Sequence, residues 1–247
     1  MLTRILERAP TIERRPSVVR RGYAVAMDSS GLRERKKAQT RQHIADTAAR
    51  LFAERGFEQV TVIDVAREAA VAEQTVYNYF RTKEQLVTDR GEQIQTRLCE
   101  LIRERAEDVS PAEAVRDCIL DSVAGIRRVP TALWHGELGY LATISPAVHR
   151  LVLELVDRQA VALAKAIADT SSVSPEIARL QGIALAGVYQ IIIDEAGART
   201  QSGQGQQKIA TDLSREIANV LDELDRWFST APPLPATSTL TETRGPY

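Results

Sequence analysis

Apolar residues recur at helical spacing along most of the chain, and nothing alternates between apolar and polar residues over a length that would form a strand. The helical spacing predicts helices at residues 33–55, 83–106, 111–128, 146–169, 175–199 and 208–228, with one or two shorter helices between 131 and 142. A Ser-Pro pair precedes three of them, at Ser110, Ser145 and Ser174, which places a capping serine before a proline at the first helical position. The pattern therefore predicts an all-α protein.

The most informative pattern lies in residues 61–86, which predict two short helices joined by a tight turn. The first helix has one apolar face, formed by Val62, Val65, Ala66 and Ala69. Thr61 and Asp64 predict a variant of the capping box at its start. In the second helix Val76 and Phe80 face inward, which leaves amide, hydroxyl and phenol groups outward. Such a pair fits a helix-turn-helix, whose second helix enters the major groove of DNA; periodicity alone also fits an ordinary helical corner in a bundle.

The segment from Thr40 to Leu86 resembles the DNA-binding domain of the TetR family of transcriptional regulators. The matching positions form one ungapped frame: Ala48, Leu51, Phe52, Gly56, Phe57, Thr61, Val65, Ala66, Ala69, Val71, Thr75, Tyr77, Tyr79, Phe80, Lys83, Glu84 and Leu86. The resemblance covers roughly a fifth of the chain. It implies a three-helix, DNA-reading head at the N-terminus, followed by a larger helical body for effector binding and dimerisation.

Two positions depart from the family pattern. Ala70 stands where the family usually has a turn glycine, and Ala72 where it usually has a capping serine. A Cβ in a left-handed turn costs roughly 1–2 kcal/mol, and a missing capping side chain costs about 1 kcal/mol. The turn is therefore predicted to be slightly strained.

The resemblance also implies which residues contact DNA. Thr75, Tyr77, Tyr79 and Lys83 are expected at phosphates and in the groove, while Glu73 and Gln74 open the recognition helix and are the candidates for reading base edges. A basic cluster before the motif adds phosphate contacts. The full predicted set is Lys37, Arg41, Thr61, Glu73, Gln74, Thr75, Tyr77, Tyr79 and Lys83. A second capping box, Thr82 with Gln85, is expected to start the next helix with Lys83 in its first turn.

The resemblance and the composition together suggest four regions. The resemblance implies a DNA-binding head at residues 33–86 and an effector-binding and dimerisation body at residues 87–229. The Pro- and Thr-rich tail, residues 230–247, is expected to be disordered. Residues 1–32 form a basic extension with two interpretations. It is either an arm that contacts DNA phosphates or the minor groove, or a disordered tail. Its sequence also fits translated DNA upstream of a true start at Met27.

The last two helices predict a dimer interface. Gly182 and Gly187 interrupt large aliphatic residues, and glycine costs about 1 kcal/mol inside a helix, which suggests close packing against another helix. Packing within one chain explains this composition too. The resemblance implies instead that two copies pair these helices in a four-helix bundle, as a protein reading a palindrome requires. The predicted interface residues are Gly182, Gly187, Leu213, Ile217 and Leu224.

Residues 97–142 are the predicted effector-binding region. Helical pockets are mostly apolar with a few polar or aromatic groups, and the candidates here are Cys118, Trp134, His135 and Tyr140, each of which also fits an ordinary core position. Ligation of a metal by Cys118, His135 and His149 matches no known spacing. No cofactor is expected, and the sequence does not name the effector.

The remaining features narrow the function class. The formal net charge is −1, so affinity for DNA must come from a local basic patch. The two cysteines indicate neither a zinc site nor a disulfide framework. No apolar run approaches the ~18 residues that span a bilayer, so a cytoplasmic protein without a membrane is expected. The prediction is a homodimeric regulator, a repressor released by a small molecule, rather than an enzyme or a helical module that has lost affinity for DNA; activation stays open.

Overall fold

A computed structural model gives the fold and describes residues 20–230, with side chains from residue 32 onward. Within this range all regular structure is helical, which confirms the predicted all-α class. The helices are α1 (Arg20–Arg55), α2 (Val62–Glu68), α3 (Glu73–Tyr79), α4 (Gln85–Glu104), α5 (Pro111–Gly125), α6 (Thr131–Trp134), α7 (Leu138–Ile144), α8 (Pro146–Ala168), α9 (Pro175–Gln201) and α10 (Gln206–Thr230), with a 3₁₀ turn at Ile126–Arg128.

The chain divides into two compact units, residues 1–42 and 43–247. In the first unit the structure describes the N-terminal part of α1, where the side chains from Leu32 to Gln39 are exposed. Helix α1 begins well before the predicted start at residue 33, because no proline interrupts the chain after Pro16. Residues 20–32 of the predicted disordered extension are therefore helical. The rest of that extension and the predicted tail from residue 231 lie outside the described residues.

In the second unit the three Ser-Pro pairs begin helices as predicted. The hydroxyls of Ser110, Ser145 and Ser174 accept hydrogen bonds from backbone N–H groups three residues further on, at 3.1, 3.2 and 3.2 Å. Each following proline occupies the first turn of its helix, where its missing N–H leaves no bond unmade. Local sequence thus fixes where α5, α8 and α9 start.

Two apolar clusters hold the second unit together. One gathers buried residues of α4, α5, α8, α9 and α10, including Leu98, Leu163 and Leu185. The other joins α1 to α4 with the helices that follow, since it combines head residues such as Phe52 with Leu141 of α7. The predicted domain boundary between residues 86 and 87 therefore runs through a shared apolar cluster.

Close backbone contacts at glycine bring several helices together. A Cβ at Gly136, just before α7, would overlap the carbonyl group of Ala49 in α1. A Cβ at Gly182 of α9 would lie 2.6 Å from the backbone nitrogen of Ala164 in α8. A Cβ at Gly197 of α9 would overlap the carbonyl of Gly139 in α7. These residues must be small because backbone, rather than a flexible side chain, lies against them.

Helix α9 also passes the length and composition test for a membrane span, with a mean hydropathy of 1.3 over its most apolar window. That window is 39% buried, and the core helices of many folded proteins pass the same test. The buried side of α9, which includes Ala178, Leu185 and Val188, packs within the chain. Its hydropathy is therefore partly explained by its place in the core.

The contact at Gly136 generates a stability prediction. Gly136→Ala should lower the free energy of unfolding by about 1–3 kcal/mol or more, because the added methyl group meets rigid backbone. Urea denaturation measures the change. Gly125→Ala is the control: its Cβ would meet only the flexible end of Arg128, at 3.4 Å, and should be neutral or stabilising. Equal effects of the two substitutions would contradict the close contact.

Candidate nucleic-acid interface

Helix α2 begins with the predicted capping box. The hydroxyl of Thr61 accepts a hydrogen bond from the backbone of Asp64 at 3.1 Å, and the backbone N–H of Thr61 donates to the Asp64 carboxylate at 2.9 Å. The hydroxyl of Thr61 also donates to that carboxylate, at 2.6 Å. The side-chain bond, followed by the backbone bond, lowers the pKa of Asp64. Thr61, a predicted DNA contact, is exposed, but its hydroxyl already makes hydrogen bonds within the capping box.

The turn between α2 and α3 has the strained geometry that the sequence predicts. Ala70 has a φ of 53°, the left-handed conformation that favours glycine. The N–H of Val71 donates to the carbonyl of Ala66 at 3.0 Å, and the N–H of Ala70 donates to that of Arg67 at 3.2 Å. These two bonds form a Schellman motif, here with alanine at its left-handed position. Ala72, the N-cap residue of α3, makes no capping side-chain bond, as expected.

Helix α3 divides into the predicted inner and outer faces. Val76 and Phe80 are fully buried, each 0% exposed. The outward face carries Glu73, Gln74, Tyr77 and Asn78, all exposed or nearly so, while Thr75 and Tyr79 are less accessible. The buried pair anchors α3 on the head, so its outer side chains remain available to a partner.

A pair of amides lies on the outer face of α3. The Gln74 side chain donates to the Asn78 side-chain oxygen at 3.3 Å. Residues four apart on a helix are neighbours, and amides recognise adenine in the major groove. Asn78 is therefore a base-reading candidate that was missing from the predicted set; its spacing from Gln74 was the available signal.

The basic residues of the predicted set differ in their surroundings. Lys83 lies in the turn before α4, because α4 begins at Gln85 rather than at residue 83. Its ammonium group sits 4.2 Å from the ring centre of Phe57 and 3.5 Å from the carbonyl oxygen of Glu58. Arg81, absent from the prediction, is exposed immediately after α3.

Lys37 and Arg41 belong to the first unit, where both lie on α1. Lys37 is exposed and Arg41 half-buried.

The predicted second capping box is only partly formed. The hydroxyl of Thr82 accepts from the backbone N–H of Gln85 at 3.4 Å. The Gln85 side chain, however, accepts from the N–H of Arg81 at 2.7 Å rather than from that of Thr82. The exit from α3 is therefore held by a side chain of the following helix.

His43 of α1 braces the turn from the other side. Its Nε2 atom lies 3.1 Å from the carbonyl oxygen of Ala69, the C-cap residue of α2. A ring N–H donated there satisfies a carbonyl group that the helix end leaves without an intrahelical partner. The strained turn is thus held by both the Schellman bonds and a contact from α1.

The four predicted effector residues do not line one interior site. Trp134 is buried and its indole N–H lacks a partner among the described residues. His135 is exposed and stacks edge-on against Tyr140, with ring centres 4.6 Å apart. Cys118 is half-buried on α5, where burial raises the pKa of its thiol. His135 stays a prediction as an effector residue; its side chain, just after the short helix α6, faces solvent.

An open groove lies elsewhere on the second unit, with a volume of about 640 Å³. It is lined by Ala142, Thr143, Ile144, Pro146, His149, Arg150 and Asp194. Burial raises the pKa of Asp194, an effect that the charge of His149 partly offsets. Among the described residues no cluster of His, Cys, Asp and Glu fits a metal ion.

The predicted interface residues occupy different environments. Leu213 and Ile217 are 0% and 1% exposed in the chain's own core, and Gly182 packs on α8. These three are therefore covered within one chain, as the alternative interpretation of the sequence allowed. Leu224 is half-buried against the same core. A Cβ at Gly187, by contrast, would meet nothing within 4 Å.

Together, a capped helix, a tight turn and an anchored helix with an exposed polar face define a DNA-binding protein of the helix-turn-helix class. Residues 44–89 match the family model of bacterial regulatory proteins of the tetR family. These residues therefore match the DNA-binding segment of the tetR family, and the chain is similar to transcriptional regulators.

Three relatives share sequence with the chain to different extents. A Mycobacterium tuberculosis protein named MftR is 43% identical over 49 residues, which are 20% of this chain and 25% of MftR. TcmR of Streptomyces glaucescens, an HTH-type transcriptional regulator, is 23% identical over 205 residues, 78% of this chain and 86% of TcmR. AcrR of Shigella flexneri is 28% identical over 130 residues, 49% of this chain and 60% of AcrR.

Solved structures are similar at lower identity. Bacillus subtilis FadR, solved in complex with stearoyl-CoA, is 20% identical and matches 74% of this chain and 97% of its own, with a TM-score of 0.47. Salmonella enterica GusR is 20% identical and matches 74% of this chain and 96% of its own, with a TM-score of 0.40.

The strained turn generates a second prediction. Ala70→Gly should raise the free energy of unfolding by roughly 1–2 kcal/mol, because glycine adopts the left-handed conformation without a clashing Cβ. Urea denaturation measures the gain, and affinity for DNA should be retained. Ala38→Gly, an exposed substitution inside α1, is the control and should cost about 1 kcal/mol. Destabilisation by both variants would show that the turn at Ala70 is not strained.

Proposed function

We propose that this chain is a repressor that binds an inverted-repeat operator as a homodimer and is released by a small-molecule effector. The exposed Gln74–Asn78 amide pair on α3 carries the DNA-binding part of this proposal, because buried Val76 and Phe80 hold that face outward. A helix held in this way fits the major groove, where amides recognise adenine.

Phosphate contacts come from residues around the recognition helix. Arg81 is exposed directly after α3, and Lys83 is fixed against Phe57 in the following turn. Thr75, Tyr77 and Tyr79 add hydroxyl groups on the same short helix. Such contacts position the protein on the duplex, while the amides select the sequence.

Dimerisation uses the outward face of α9. Leu180, Ile183 and Ile191 are 50%, 48% and 44% exposed there and follow one another at helical spacing. Gly187 lies in the same row, and none of the described residues lies close enough to require a small side chain there. A second copy packed at that point explains both the exposed apolar side chains and the glycine.

Repression and release follow from linkage between two states. An effector releases the operator only if it binds the state without DNA more tightly. The cluster that joins Phe52 of the head to Leu141 of α7 supports such coupling, because movement in one part must repack the other. Operator binding implies a cytoplasmic protein, and no catalytic activity is proposed.

A gel-shift with the DNA that flanks the gene tests the proposal. The full chain should form a specific complex that survives excess random DNA and protects two half-sites related by a two-fold axis. Binding that random DNA removes completely would contradict operator recognition. A reporter gene fused to the same DNA separates repression from activation.

Within the head, substitution of a phosphate-contacting residue and of a base-reading residue should have different effects on DNA binding. Arg81→Ala should reduce the slope of log affinity against log salt by about one for each phosphate that the arginine neutralises, hence about two in a dimer. Gln74→Ala should leave this slope unchanged and cost roughly 1–3 kcal/mol on the cognate sequence alone. Salt-dependent titrations on specific and random DNA measure both.

The matched control is Arg103→Ala, which removes the same charge from an exposed position about 27 Å along α4 from its first residue. Its salt slope should equal that of the wild type. If Arg81→Ala changed sequence preference while Gln74→Ala did nothing, α3 would not be the recognition helix.

The α9 face generates the dimer prediction. Ile183→Glu should produce monomers, because a charge would be buried at the contact between two copies, and operator affinity should fall with dimerisation. Sedimentation velocity measures the assembly. Thr211→Glu, at an exposed position on α10, should stay dimeric. An Ile183→Glu protein that remains dimeric would place the interface elsewhere.

A further inference from the structure

Two glutamine side chains are buried in the body. Gln159 of α8 is 0% exposed and Gln181 of α9 is 1% exposed. Neither polar atom of the Gln159 amide has a hydrogen-bond partner among the described residues, and the oxygen of Gln181 also lacks one. A buried polar atom without a partner destabilises the folded chain, so the arrangement needs an explanation.

The contacts of two glycines show how α8 and α9 align. A Cβ at Gly91 of α4 would lie 2.6 Å from Leu155 of α8 and 3.0 Å from the hydroxyl of Tyr189 of α9. A Cβ at Gly182 of α9 would meet the backbone of Ala160 and Ala164 of α8, at 2.7 and 2.6 Å. From the first contact to the second, the residue numbers rise along α8 and fall along α9. The two helices are therefore antiparallel.

This alignment gives the levels of the two amides along the contact between the helices, which we name the α8–α9 seam. On α8, Gln159 lies four residues after Leu155 and therefore on the same helix face. On α9, Gln181 lies eight residues before Tyr189, which also places the two on one face. Leu155 and Tyr189 are the side chains that contact Gly91 of α4. Gln159 lies level with Leu185, and Gln181 with Leu163. The two amides are thus separated by about one helical turn, roughly 5.4 Å of rise.

The residues level with the two amides are apolar. Leu163, Leu185 and Trp134 belong to one apolar cluster, and the indole N–H of Trp134 lacks a partner as well. Among the described residues, the buried polar side chains are threonine, serine and glutamine, with no charged group. Near the Tyr189 end, Arg90 is paired with Glu137 at 3.0 Å, so it offers no free charge to an anion.

We propose that the α8–α9 seam recognises the effector and that this effector is an uncharged, largely apolar molecule with a hydrogen-bond donor and an acceptor. Its donor binds the side-chain oxygens of Gln159 and Gln181, and its acceptor binds the amide N–H of Gln159. Primary amides carry both groups on one uncharged unit. The proposal rests on the proposed function, since it names the class of effector for that regulator.

The first experiment measures stability in the full chain without an effector. Gln159→Leu and Gln181→Leu should each raise Tm by about 2–4 °C, because they remove polar atoms that lack partners. Thr200→Val on α9 is the matched control: the Thr200 hydroxyl is buried but already donates to the carbonyl of Ala196 at 2.6 Å, so Tm should not rise. A lower Tm in both glutamine variants would mean that interior water or the protein already satisfies the amides, and would overturn the proposal.

The second experiment measures binding by calorimetry. The probes are benzamide, 2-naphthamide and decanamide, each compared with the carboxylate of the same skeleton: benzoate, 2-naphthoate and decanoate. At least one amide should bind, tenfold or more tightly than its carboxylate, and Gln159→Leu should weaken it at least tenfold while Thr200→Val leaves it unchanged. Binding of no amide, equal binding of the carboxylate, or unchanged binding by Gln159→Leu would each overturn the proposal.

A gel-shift with and without the bound amide separates this proposal from the proposed function. Release of the wild-type operator complex, but not of the Gln159→Leu complex, supports the seam as the effector site. Amide binding that leaves the wild-type complex intact overturns that assignment while DNA recognition stands. A wild-type chain that forms no specific DNA complex contradicts the proposed function, whatever the amides do.

Discussion

Close backbone contact along the buried side of α9 is the constraint on which the second unit depends. Gly182 lies against the backbone of α8, and Gly197 lies against Gly139 of α7. A side chain at either position would push the helices apart, which a densely packed interior tolerates poorly. Once α7 and α8 are fixed on α9, Leu141 and Val148 reach the same apolar cluster as the head. The position of the DNA-reading helices therefore depends on contacts made far along the chain.

That shared cluster gives the fold a physical route between body and head. The Ser145 hydroxyl caps α8 and also donates to the carboxylate of Glu58 in the head, at 2.6 Å. Nearby, Gly136 leaves room for the backbone of α1 at Ala49. Because these contacts are tight, a shift of α7 or α8 cannot be absorbed locally and must move or strain the head.

Local signals in the sequence predicted where helices begin and how the turn of the head is built. They did not predict what covers each apolar face. Ser-Pro pairs and the Thr61 capping box succeed because their hydrogen bonds join residues three apart. The left-handed turn at Ala70 follows from the family pattern. Periodicity identifies the apolar face that contains Leu213 and Ile217 without saying what covers it, and the structure buries both in the chain's own core. A helix as short as α6 has no periodicity from which the orientation of the following His135 could be predicted.

Helix α9 shows why the remaining functional features could not come from sequence alone. It is apolar on most sides, so its pattern does not distinguish a glycine that admits a neighbouring helix, Gly182, from one that faces open space, Gly187. The structure makes that distinction and adds a second, since Gln181 is buried on the same helix that exposes Ile183. Neither the Gln181 side-chain oxygen without a hydrogen-bond partner nor the exposed Ile183 side chain stabilises a single chain. Departures from good packing of this kind concentrate at functional sites. This agrees with our proposals of an effector on the inner side of α9 and a second copy on the outer side.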